Sequence, residues 1–123
     1  MKLLDAALAL SREGDVDGAV SLLRDARATA PLADPCLSLL FQLLTKTSVS
    51  DEALDVASTA LSQAKTPIGK STWAMRRGLA FLERRERDKA LLDLQLVLKL
   101  KANDGHLEQA RAALLRVAQL PKR

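Results

Sequence analysis

The stretch Gly14-Asp15-Val16-Asp17-Gly18-Ala19 constrains this chain more than any other, because its pattern returns. A glycine that stops one helix, acidic residues that cap the next and a small apolar residue one turn later make the elbow of a helical hairpin. Ser48-Val49-Ser50-Asp51-Glu52-Ala53 falls in the same register 34 residues later. Arg85-Glu86-Arg87-Asp88-Lys89-Ala90 follows after a further 37. A period of this length implies stacked supersecondary units, each burying its apolar face against a neighbour, rather than one globule around a pocket.

Composition agrees with an all-α class. The chain has 123 residues, enough for a single domain, with 48% apolar and only 2% aromatic side chains. The core must therefore come from Leu, Ala and Val, and the first two are strong helix formers. No apolar run approaches the roughly 20 residues that span a bilayer, so membrane insertion is not expected. Met1 to Leu10 carries Asp5 within its apolar stretch and is followed by Arg12, which reads as an amphipathic first helix and not a secretory leader. A cytoplasmic location is expected. Cys36 stands alone, which gives no disulfide framework and no thiolate cluster.

The apolar spacing divides the chain further. Residues 2–12 form one helix, ended by Gly14, and residues 16–30 form the next, with Pro31 just beyond. A second pair opens at Asp34-Pro35, with Asp34 as cap, and continues over residues 51–64 after a polar link capped by Ser50. Thr66-Pro67-Ile68-Gly69 is the clearest break. The third pair opens at Ser71 and continues from Ala90 to Lys101, where Asn103-Asp104-Gly105 ends it; a last amphipathic helix covers residues 106–119. Gly78, inside a helix, implies close approach of a partner helix. Residues 92–101 alternate apolar and polar as a strand would, yet their helix-forming residues and repeat register make them a helix, apolar on more than one face.

Aligned on the three elbow alanines, the units share small and large apolar positions. These are Leu3, Ala7, Leu10, Ala19, Leu23, Ala26 and Pro31; then Leu37, Leu44, Ala53, Ala57 and Ala60; then Ala74, Gly78, Phe81, Ala90, Leu94 and Val97. The pattern resembles the tetratricopeptide repeat over nearly the whole chain, with bulky Phe41 as a departure where the family has a small residue. The resemblance implies a right-handed superhelix of three hairpins, at about residues 1–33, 34–67 and 71–104, with a capping helix at 105–119. It also implies a concave groove lined by the first helix of each hairpin. Carried over, the groove residues are Leu4, Leu8, Ser11 and Arg12; Ser38, Gln42, Thr45 and Lys46; and Thr72, Met75, Arg76, Leu79, Leu82 and Glu83. Members that clamp a C-terminal carboxylate need Lys and Asn where this chain has Leu4 and Leu8, so that clamp is not expected. The apolar groove ends instead suit an extended apolar peptide or an amphipathic helix of a protein partner, in an adaptor or chaperone of the kind found in bacterial secretion systems. The alternative is that several of these apolar residues pack against the capping helix.

Nothing in the sequence assembles a catalytic centre or calls for a cofactor. His106 is the single histidine, and Cys36 has no adjacent base. Gly69-Lys70-Ser71-Thr72 lacks the first glycine and the preceding strand of a phosphate loop. Charge opens two further readings. Residues 1–66 hold six basic and nine acidic side chains, against thirteen and six in residues 67–123. The cluster Arg76, Arg77, Arg84, Arg85, Arg87 and Lys89 is open to nucleic acid or to an acidic protein, although Glu83, Glu86 and Asp88 interleave it and can pair with it. The same asymmetry allows a homo-oligomer assembled head to tail, as does the apolar helix at 91–100.

Overall fold

The chain is all-helical. A computed structural model describes residues 2–102 and 105–121, and among these it has seven α-helices and no strand. They are α1 (Lys2–Arg12), α2 (Val16–Thr29), α3 (Asp34–Leu44), α4 (Asp51–Gln63), α5 (Pro67–Glu83), α6 (Arg87–Leu100) and α7 (His106–Ala118). The alternating stretch at residues 92–101 is helical as expected, up to Leu100. The helix-ending signal at Asn103 and Asp104 lies outside the described residues; Lys101 and Gly105, on either side, are both left-handed.

Three starts differ from the sequence reading; α6 begins at Arg87, three residues before Ala90, with Glu86 in the cap position. α5 begins at Pro67, four residues before Ser71, because Thr66-Pro67 is itself a start signal. The Gly69 amide donates to Thr66 Oγ1 at 3.0 Å, and Pro67 takes the first helical turn, where its missing N–H has no partner to lose. α3 is preceded by Ala33 as cap, with Asp34 as its first helical residue, where a negative charge favours the helix N-terminus. Of the acidic candidates at the first elbow, Asp15 and not Asp17 is the cap, and Ser50 caps as expected: the Gly18 amide donates to Asp15 Oδ1 at 2.9 Å and the Ala53 amide to Ser50 Oγ at 3.2 Å.

The first and third elbows have one backbone design. The Gly14 amide donates to the Ser11 carbonyl and the Asp15 amide to that of Leu10, the paired closure that ends a helix on a left-handed residue. At the third elbow the Arg85 amide donates to Leu82 and the Glu86 amide to Phe81. Gly14 has φ +87° and Arg85 φ +60°, and the following Asp15 and Glu86 have nearly equal dihedrals (−87°, 71° and −91°, 81°). Ala19 and Ala90 then donate back to those cap carbonyls, and both are fully buried. The second elbow differs: a longer link, Thr45–Ser50, joins α3 to α4.

The chain forms two compact units, residues 1–56 and 57–123, with the division inside α4. In the first, α1, α2 and α3 pack on one another. Two ion pairs also tie α2 to the start of α4. Arg24 donates two hydrogen bonds of 2.8 Å to the Glu52 carboxylate, and Arg27 Nη2 reaches Asp55 Oδ2 at 2.7 Å. Both rungs keep the same sequence offset, so α2 and α4 run parallel. In the second unit α5, α6 and α7 pack around Ala74, Met75, Leu82, Ala90, Leu94, Val97, Ala110, Ala113 and Val117. Gly78 lies where α5 meets α6: a Cβ built there would sit 3.1 Å from Leu94 Cδ2 and 3.2 Å from Asp93 Cβ. The expected close approach is therefore present.

Candidate functional site

The residues assigned to a groove fall into two sets, one in each unit. In the first, α1 and α3 are neighbours; Leu4, Leu8 and Arg12 lie on α1, Ser38 and Gln42 on α3, and Lys46 in the link just after it. Leu4, Leu8 and Ser38 are half-buried; Arg12, Gln42 and Lys46 are exposed. Half-buried leucines beside exposed polar and cationic side chains can take an apolar segment and hold its polar flank.

In the second unit the candidates lie along α5 with different surroundings. Met75 and Leu82 are core residues, 3% and 5% exposed, and Leu79 packs against that same cluster with Ala110, Ala113 and Val117 of α7. These apolar side chains serve the docking of the last helix, the alternative noted from their spacing. Thr72 and Arg76 are half-buried, and the Arg76 guanidinium carbon stands 4.5 Å from the centroid of the Trp73 ring, a cation–π contact.

The basic cluster is largely committed to carboxylates. Arg77 Nε and Nη2 donate to Asp93 Oδ2 and Oδ1 at 2.7 and 2.6 Å, and Arg77 Nη1 donates to Ser58 Oγ at 3.0 Å. The hydrogen bonds to Asp93 raise the Arg77 pKa further, against the opposing effect of burial. At the third elbow Glu86 holds Arg84 at 3.0 Å and Lys89 at 3.3 Å, and Arg87 reaches Asp88 at 3.5 Å. Two clefts open at this end of the second unit. One, of about 460 Å³, lies between the elbow and Pro121; the other, of about 380 Å³, lies between Glu83 and Arg85 on one side and Arg116 and Gln119 on the other. Arg85 lines both. Arg85 belongs to the basic cluster in the sequence; Arg116 lies outside it, and its only signal is its place on the exposed face of α7.

The titratable groups expected to be inert have structural places. Cys36 is buried, which pushes its thiol pKa up and disfavours the thiolate. His106 is the first residue of α7. Lys70 and Ser71 lie within the early turns of α5. Among the described residues no three His, Cys, Asp or Glu side chains gather as a metal site would need, and no helix is long and apolar enough to cross a membrane. No protein-family model, characterised protein or solved structure matches the chain.

Proposed function

We propose that this chain is a protein-binding module of the tetratricopeptide type, a superhelix of three hairpins and a capping helix, acting as an adaptor or chaperone for an apolar or helical segment of a protein partner. The observation that carries this reading is the recurrence of one elbow. Gly14 and Arg85, 71 residues apart, end their helices with the same pair of hydrogen bonds and the same left-handed turn. A chain that repeats its hairpin design builds extended surface, and surface is what such proteins use. The binding face is assigned to Leu4, Leu8, Arg12, Ser38, Gln42 and Lys46, where half-buried apolar side chains adjoin exposed polar ones. Thr72 and Arg76 on α5 are half-buried in the second unit, while Met75, Leu79 and Leu82 support the core. A helix laid into such a face would anchor through apolar residues at helical spacing.

Isolation of the tagged chain from its native cell under several salt conditions, with quantitative mass spectrometry, tests the reading. One protein recovered in stoichiometric amount, and lost with Leu8→Glu, is the expected result. Equal recovery with Leu8→Glu, or no stoichiometric protein in any condition, counts against it.

A further inference from the structure

We propose that the third elbow and the end of α7 form a second recognition site, read by Arg85 and Arg116, for a carboxylate-rich segment of a protein partner. The site shares no residue with the face assigned to α1 and α3, so either can fail alone.

The elbow's other cations already have carboxylates: Arg84 and Lys89 share Glu86, and Arg87 has Asp88. Arg85 and Arg116 do not; among the described residues neither has an ion pair or a side-chain hydrogen bond. Both are exposed, and both line the cleft of about 380 Å³, while Arg85 also lines the adjoining one. Two unpaired guanidinium groups across one cleft, each able to donate in a fork, match carboxylates set a few residues apart.

The backbone under Arg85 points the same way. At the equivalent place in the first hairpin the left-handed residue is Gly14, the residue this closure favours. Arginine carries a steric penalty there, and hairpin closure gives no reason for it. A guanidinium at the mouth of two clefts does. The unit also favours anions overall, with fourteen Lys and Arg against six Asp and Glu in residues 57–123.

The walls select protein over nucleic acid. Glu83, Glu86 and Asp88 line the clefts and would repel a continuous chain of phosphates, while spaced carboxylates can pass between them. Among the described residues no aromatic side chain lines either cleft to stack on a base.

Fluorescence anisotropy with a labelled peptide rich in Glu and Asp tests the site, with a single-stranded DNA of equal charge as the comparison probe. The wild-type chain should bind the peptide at low salt, more tightly than the DNA, and lose it as salt rises. Arg85→Gly and Arg116→Gln should each weaken binding about fivefold. Arg85→Gly should at the same time raise the thermal midpoint, which separates loss of a contact from loss of the fold. Absence of peptide binding, unchanged affinity in Arg85→Gly, or DNA binding as tight as that of the peptide would each overturn the proposal.

Discussion

Arg77 lays its guanidinium along both oxygens of Asp93, at 2.6 and 2.7 Å, and so locks α5 to α6 beside the close contact at Gly78. Gly78, next to Arg77 on α5, lies against both Asp93 and Leu94 of α6. Packing and ion pairing thus fix one register. The Asp93 side chain is only 4% exposed and that of Arg77 25%, so the pair is far better shielded than the surface bridges. Removal of either partner leaves a poorly hydrated charge. Asp93→Ala should cost about 3 kcal/mol in urea unfolding. Arg77→Met should cost more, about 4 kcal/mol, because the Asp93 carboxylate it leaves unpaired is the more buried of the two. The double change Arg77→Met with Asp93→Leu should recover at least half of the summed loss. Simple additivity of the single variants would show that the pair is not coupled.

Gly78 sets two effects against each other. Alanine there would gain about 1 kcal/mol of helix propensity. Its methyl would also press on Leu94 and on Asp93 Cβ, which the Arg77 fork holds in place. Overpacking of this kind costs about 1–3 kcal/mol, so Gly78→Ala should be net destabilising and Gly78→Val more so. A rise in thermal midpoint for Gly78→Ala would show that the interface can yield.

The two like elbows predict opposite responses. A Cβ on Gly14 would meet nothing within 4 Å, so Gly14→Ala acts on backbone alone, through φ +87°. It should destabilise by about 1 kcal/mol. Arg85→Gly should stabilise by about 1 kcal/mol, less the added freedom of glycine in the unfolded chain. Paired thermal melts measure both signs directly.

The Arg24–Glu52 bridge gives a signed pH dependence. The hydrogen bonds from Arg24 hold the Glu52 carboxyl below its usual range, outweighing its partial burial. A depressed folded-state pKa contributes stability that is fully present above the unfolded value, about 4.3, and is lost as pH falls through the folded value. The bridge is exposed enough to be worth less than about 1 kcal/mol. Wild-type protein should therefore lose slightly more stability than Glu52→Gln between neutral pH and the acid range, and equal slopes would show the bridge to be idle.

Local signals made much of this legible. The first helix runs over residues 2–12 as its spacing and Gly14 indicate, and Gly78 marks the helix crossing. What escaped depended on the register between helices. Arg77 looked like one of six surface cations, and Asp93 like a polar beat in an alternating run, because their sequence separation hides the pairing. Met75 and Leu82 looked available because a stripe at helical spacing does not tell a partner from the protein's own last helix. Thr66-Pro67 reads as a break and is also a cap, since the same residues serve both ends of a connection.

The central claim is that the α1 and α3 face binds a protein segment. Isothermal titration of the recovered partner into wild-type protein, Leu8→Glu and the paired exposed changes Gln42→Ala with Lys46→Glu tests it most directly, with circular dichroism checking that helicity is kept. The prediction is one partner per chain, affinity reduced about tenfold or more by each variant, and unchanged helicity. Equal affinity for all three proteins, at equal helicity, would contradict it.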